Sequence, residues 1–248
     1  MTFVPIASSS SGNAYVVEHA GRAVLIDCGV PLKEIEARCG EAGVDTRSIE
    51  GVLVTHNHSD HIACLQPFLR RHDVPVYANA LTAESVAAAL GLEIESFAIF
   101  ENGQEFEAGG LSIRPFSIPH DTPDPVGFLV SSPEGTYFHG TDMGSPLDSV
   151  GRMFSLADEA TLESNHDEEL LIRSRRRQSL IRRILGPRGH LSNGDAADFA
   201  VRFASARLKR LHLAHLSSEC NTPRLALDTM AGALFRAGRG DIEIDVLD

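Results

Sequence analysis

A layered α/β or α+β domain is the fold class this sequence predicts, and three observations predict it. The early chain places strand-like runs in close succession, as in "AYVVEH" (14–19) and "RAVLID" (22–27). The later chain alternates such runs with helical ones. Apolar β runs also stop repeatedly at an Asp or a His, as strands do when their ends carry a site along one sheet edge. No repeat, low-complexity linker or composition shift divides the chain, so one domain over residues 1–248 is expected.

Each element follows from its local pattern. After the two opening runs, β-branched and apolar residues predict strands at "GVLVT" (51–55), "VPVYA" (74–78), "LSIRPFSI" (111–118), "VGFLV" (126–130), "TYFHG" (136–140) and "RLHLAH" (210–215). Helical spacing predicts helices over 31–42, 81–90, 145–155, 167–185, 192–206 and 222–237. "SSSSGN" (8–13) is rich in turn formers and too short for a linker.

Composition narrows the function classes. With 43% hydrophobic and 23% charged residues the chain is an ordinary globular protein. It has no run near the roughly 18 apolar residues of a membrane span, so no membrane association is expected. The start, "MTFVPIASSSSGN", lacks the basic and apolar regions of a secretory signal, which predicts a cytoplasmic protein. Cys28, Cys39, Cys64 and Cys220 show no CxxC pairing and read as small buried hydrophobes. A net charge of −12 argues against a general polyanion binder, but not against a local basic patch.

The strand ends carry the chemistry. "AVLID" delivers Asp27, "GVLVT" runs into His56 and His58, and "FSIP" leads to His120. "YFHGT" precedes Asp142, "ATLESN" precedes His166, and "LHLA" precedes His215. In "THNHSDH" four imidazole or carboxylate groups occupy residues 56–61. The bland alternative is a polar loop with Asp60 capping the next helix. The metal alternative has His56 and His58 serving one ion and Asp60 and His61 a neighbour, with His120, Asp142 and His215 completing both spheres. Two ions about 3.5–4 Å apart would hold a hydroxide nucleophile between them and clamp charge on a phosphoryl or acyl oxygen.

These residues resemble the HxHxDH signature of the metallo-β-lactamase superfamily, with "LIDCG", "IPH", "GTDMG" and "LAHLSSE" standing in order as its other motifs. The resemblance implies an αββα sandwich with a dinuclear metal site at one edge. It implies two divalent ions, zinc or manganese. His56, His58 and His120 would take the first, Asp60, His61 and His215 the second, and Asp142 would be shared. Asp60 counts among the catalytic residues as well, and Asp27 and Asn165 would support the ligands from behind. Within the superfamily, "SSSSGNAYVV", "PHDTPDPVGF", "ESNHDEELL", "GPRGHLSN" and "HLSSECNTP" resemble the YycJ/WalJ-like group, regarded as cytoplasmic 5′→3′ DNA exonucleases. The chain departs from that group's pattern at Asn57, Met143 and Ser164, none of them a ligand position.

The resemblance implies DNA as the substrate, and a nucleic-acid substrate also suits the stretch 170–194, which holds seven arginines and no acid. A solvated helix face paired with Asp167, Glu168 and Glu169 explains it equally well. Arg176, Arg188, Ser192 and Asn193 are candidate substrate contacts, and the resemblance implies that Ser10, Ser11 and Asn13 stand at the site's rim. His190 and His166 are candidate acids for the leaving oxygen.

Two rivals share the ligand pattern. A ribonuclease Z-like endonuclease would need an arm between the third and fourth motifs, where only 22 residues separate His120 from Asp142. Nor do the 73 residues from Asp142 to His215, three predicted helices among them, leave room for the extra domain of another related class. A thioesterase or lactonase would use the same metals on an acyl carbon, and spacing does not separate it.

Overall fold

The computed structural model describes residues 1–247. It resolves into two compact units, Met1–Pro115 with Thr122–Glu134, and Phe116–Asp121 with the chain from Gly135 onward.

Unit 1 is built on a six-stranded sheet whose spatial order is its sequence order: β1 (Thr2–Ser9), β2 (Gly12–His19), β3 (Arg22–Ile26), β4 (Ile49–Leu53), β5 (Val76–Ala78) and β6 (Phe97–Ile99). The first three pair antiparallel through tight turns, and "SSSSGN" is the β1–β2 hairpin. From β3 onward pairing is parallel, which requires crossovers. Those are supplied by α1 (Leu32–Glu41), by α2 (Ser59–Ile62) with α3 (Leu65–Leu69), and by α4 (Ala80–Leu90). Val16, Leu25, Val52, Ile35, Phe68 and Val86 belong to one apolar core, so α1, α3 and α4 all pack onto this sheet. Strands β7 (Phe106–Ala108), β8 (Leu111–Ser117) and β9 (Val126–Ser132) follow, the first two as an antiparallel pair.

Unit 2 alternates strand and helix. Strands β10 (Gly135–Gly140), β11 (Glu159–Glu163), β12 (Arg210–Ala214) and β13 (Glu243–Val246) form a parallel ladder in that order. Gly140 pairs with Leu162 and Glu163 with Ala214, so the C-terminal ends of three strands lie level. The crossovers are α5 (Asp148–Phe154), then α6 (Glu168–Arg173), α7 (Gln178–Ile184) and α8 (Asn193–Phe203), then α9 (Pro223–Arg236).

Two expectations need correcting. The single helix expected over 167–185 is two, broken at Ser174 and Arg177, whose ψ angles are extended. Leu171, Ile181 and Ile184 all pack with Cys220. At about 100° per residue, a continuous helix would turn Leu171 about 80° from Ile181 and about 140° from Ile184, so the bend is what brings them together. Asp60 does not cap a helix either: it lies inside α2, and His58 is the N-cap residue.

Candidate metal centre

In unit 1 the site begins where β3 and β4 end side by side. Asp27 leaves β3 with a left-handed φ of 57°, and its N–H bonds the Leu53 carbonyl at 2.9 Å. That conformation is costly for a residue with a Cβ, about 1–3 kcal/mol, and persists only where surroundings enforce it. Here the Asp27 carboxylate, fully buried, accepts from the Thr55 N–H at 2.9 Å and the Thr55 hydroxyl at 2.8 Å, and lies 2.7 Å from His61 Nδ1. A carboxylate on Nδ1 fixes the His61 tautomer and leaves Nε2 as the donor atom for a metal.

That Nε2 stands 3.5 Å from Asp60 Oδ2. The Asn13 side-chain amide reaches both, at 3.2 Å from each. Asn13 is itself held, accepting from the Ser9 N–H at 3.2 Å and the Tyr15 hydroxyl at 3.3 Å. His56 Nε2 and His58 Nδ1 lie 3.1 Å apart. Ligand atoms on one tetrahedral zinc, each about 2.0–2.1 Å from it, are about 3.3 Å apart. The donor set of this unit therefore suits a small divalent cation.

In unit 2 the level strand ends supply the groups. Asp142 follows β10 and His215 follows β12, both left-handed at φ 57°. His120 follows β8; its Nδ1 donates to the Gly189 carbonyl at 3.1 Å, and its Nε2 lies 3.6 Å from Asp142 Oδ1. The same Asp142 oxygen is 3.5 Å from His215 Nδ1 and 3.6 Å from His190 Nδ1.

Glu163, the last residue of β11, organises this cluster and went unnoticed in the sequence. It is completely buried. Its Oε1 lies 2.8 Å from His190 Nδ1 and 3.0 Å from His215 Nδ1, while Oε2 accepts from the N–H groups of Met143 at 2.8 Å and Leu191 at 3.0 Å. Burial opposes its ionisation, but the neighbouring His190 charge and the histidine hydrogen bonds outweigh that and hold Glu163 down at about 2. Burial likewise opposes the charged form of His190, yet the Glu163 carboxylate raises it above the ordinary imidazole value. Donor atoms of Asp142, Glu163, His190 and His215 all fall within 4.8 Å of one another. The available signal was "ESNHD", where Glu163 heads the motif at a strand end.

The other named residues divide. Asn165 donates from its amide to the His215 carbonyl at 2.7 Å, bracing that candidate ligand. Ser192 caps α8, accepting from the Asp195 N–H at 3.1 Å, and Asn193 is buried between Ser164 and Asn221. Arg176 binds Glu219 at 2.9 Å, while Arg188 is exposed. Ser10 and Ser11 sit exposed in the hairpin turn. His166 is buried with neither ring nitrogen hydrogen-bonded among the described residues, and burial lowers its pKa. The four cysteines are unbridged.

A model of the β-lactamase superfamily domain matches residues 22–215. The chain belongs to the metallo-β-lactamase superfamily. It is similar to an exodeoxyribonuclease WalJ of Streptococcus pneumoniae serotype 2, at 32% identity over 95% of this chain and 88% of the relative. An exodeoxyribonuclease YycJ of Bacillus anthracis is 33% identical over 96% of this chain and 90% of its own. Among solved structures, the metallo-β-lactamase fold protein YhfI of Bacillus subtilis has a TM-score of 0.74 at 17% identity, covering 99% of this chain and 95% of that one. The chain is thus a YycJ/WalJ-like member of the superfamily with its αββα fold, and a metallo-hydrolase. No helix among the described residues is long and apolar enough to cross a membrane.

Proposed function

We propose that this metallo-hydrolase is a phosphodiesterase of nucleic acid, specifically a cytoplasmic 5′→3′ DNA exonuclease working as one domain. What supports the reading is likeness, along nearly the whole chain, to proteins named exodeoxyribonucleases. The proposed ligands are His56, His58, Asp60, His61, His120, Asp142 and His215, for two ions, zinc or manganese. Bound there, the ions would supply Lewis acidity and a nucleophilic water at neutral pH.

The chain's own residues account for the remaining steps. Asp27 and Asn13 hold Asp60 and His61 in place, so these ligands are aligned before any substrate arrives. His190 is the proton donor for the leaving oxygen. With Nδ1 bound to Glu163, the proton it can pass is the one on Nε2, and the buried carboxylate favours the charged ring against the effect of burial. His166, kept neutral by burial, is the poorer donor of the two.

The test is a substrate panel on metal-reconstituted protein, with Asp142→Ala as the inactive control. It holds 5′-phosphorylated duplex DNA, single-stranded DNA, a structured RNA and a thioester. Mononucleotide release from DNA that vanishes in the variant is the expected result, and end-labelling then reads polarity. Thioester turnover with nucleic acid untouched would replace the nuclease by an acyl hydrolase. If His190→Ala kept full turnover, the acid would have to be sought elsewhere.

A further inference from the structure

The seven arginines between Leu170 and Gly194 are not equivalent. Arg173 pairs with Glu169 at 3.3 Å, Arg176 with Glu219 at 2.9 Å, and Arg183 with Asp121. Arg175, Arg177, Arg182 and Arg188 are exposed and make no ion pair among the described residues. In a chain where 34 acidic residues outnumber 22 basic ones, four neighbouring cations without a carboxylate are unexpected for a merely solvated face.

Their placement is defined. Arg175 and Arg177 stand in the bend between α6 and α7, Arg182 is on α7, and Arg188 is two residues before His190. The Arg183–Asp121 pair fastens α7 beside His120, which itself bonds the Gly189 carbonyl of the Arg188 loop. Gly144 keeps that loop close, since a Cβ there would stand 2.5 Å from the Arg188 backbone. The exposed cations therefore run from the α6–α7 bend to the His120–His190 edge of unit 2.

We propose that Arg175, Arg177, Arg182 and Arg188 form a phosphate track that holds a nucleic-acid strand as its end reaches His190. This rests on the nuclease reading and adds to it which arginines bind and which merely staple the fold. Guanidinium forks suit successive phosphates because each binds two oxygens and stays charged. An anionic membrane is the less suitable partner. Leu171, Ile181 and Ile184 are packed with Cys220, and although Leu170, Ile172, Leu180 and Leu185 are exposed, the stretch contains no aromatic anchor.

Binding is measured on the full chain in chelator, which separates it from cleavage, using labelled duplex and single-stranded DNA of equal length over a salt series. Each phosphate contact contributes about 0.9 to the slope of log affinity against log salt for duplex, and about 0.7 for single strands. Replacing all four arginines by Gln should lower the slope by about 3 to 4, and replacing them by Lys should restore most of it. The strand form with the larger change, once each is divided by its per-phosphate value, is the one the track holds. Arg173→Gln, which removes a paired arginine, should leave the slope in place. Because all four are exposed, circular dichroism should show the Gln variant folded; if it is not, the four single variants should each lower the slope by about 1. An unchanged slope in a folded Gln variant overturns the track while leaving DNA cleavage, measured separately with metal, to stand or fall alone. Loss of binding to phosphatidylserine vesicles with DNA binding intact would assign the arginines to a membrane and also overturn it.

Discussion

The two clusters of candidate ligands solve the same problem in opposite ways. In unit 1 the groups come from one turn, with four of them inside residues 56–61, and a single buried carboxylate, Asp27, braces His61 from the neighbouring strand. In unit 2 they come from His120, Asp142, Glu163, His190 and His215, gathered from successive strand ends and one loop, with Glu163 in contact with two histidines and two backbone N–H groups. A local cluster needs an orienting group; a dispersed one needs a keystone. Losing the keystone should therefore cost more than losing the brace.

Glu163→Gln gives the largest expected effect. It removes the negative charge that favours the protonated His190 ring, and with His190 as the proposed acid, kcat on the substrate found in the panel should fall about 100- to 10,000-fold, the usual contribution of a general acid. Near-wild-type turnover in a folded Glu163→Gln protein would remove the asymmetry between the clusters.

Backbone approach provides a matched pair of tests. A Cβ on Gly29 would lie 1.7 Å from the Asp60 carbonyl oxygen, and one on Gly189 would lie 2.0 Å from that of Ile184. Neither backbone can yield without moving a site segment, so Gly29→Ala and Gly189→Ala should each cost about 1–3 kcal/mol in urea unfolding. If only one does, the tolerant unit is the looser one.

Asp27→Asn should be milder. The ring of His61 loses its anionic partner but keeps its place, and metal affinity measured against a competing chelator should drop about 10- to 100-fold. Unchanged affinity would mean that the local cluster needs no brace.

The smallest effect lies away from both clusters. His212 sits between Glu159 and Asp245, and although burial opposes its charge, hydrogen bonds to both carboxylates raise its pKa above 6.5. A raised folded value means stabilisation that is complete below the unfolded pKa and lost as pH rises through the folded one. Asp245 is exposed, which limits the contribution to on the order of 1 kcal/mol. The melting-temperature gap between wild type and His212→Gln should be widest near about pH 6 and close by about pH 9; a gap constant across that range would rule out the protonated form.

Much of this arrangement was legible beforehand. Parallel strands with polar ends place those ends at one edge whatever their exact lengths, and the apolar runs revealed nearly every strand that carries a site residue. The order of strand-end Asp and His residues fell out of the same reading. Glu163 was hidden because a lone Glu at a strand end looks like any solvated carboxylate; only the neighbours it meets distinguish it. Asn13 looked like a rim residue in a Ser-rich turn, whereas its amide is folded inward against Asp60 and His61. The break in the 167–185 helix was equally invisible, because the packing it serves is with Cys220, 36 residues beyond Ile184.

By itself, then, the sequence determined the inventory of candidate ligands, the strand–helix alternation and the family motifs, since these depend on residue identity and short-range periodicity. The tertiary structure alone decided which carboxylate is the keystone, which arginines are spent on ion pairs, and the left-handed turns at Asp27, Asp142 and His215. Those outcomes depend on long-range contacts: a buried charge keeps its ionised form, and a strained backbone its shape, only through partners distant in the chain.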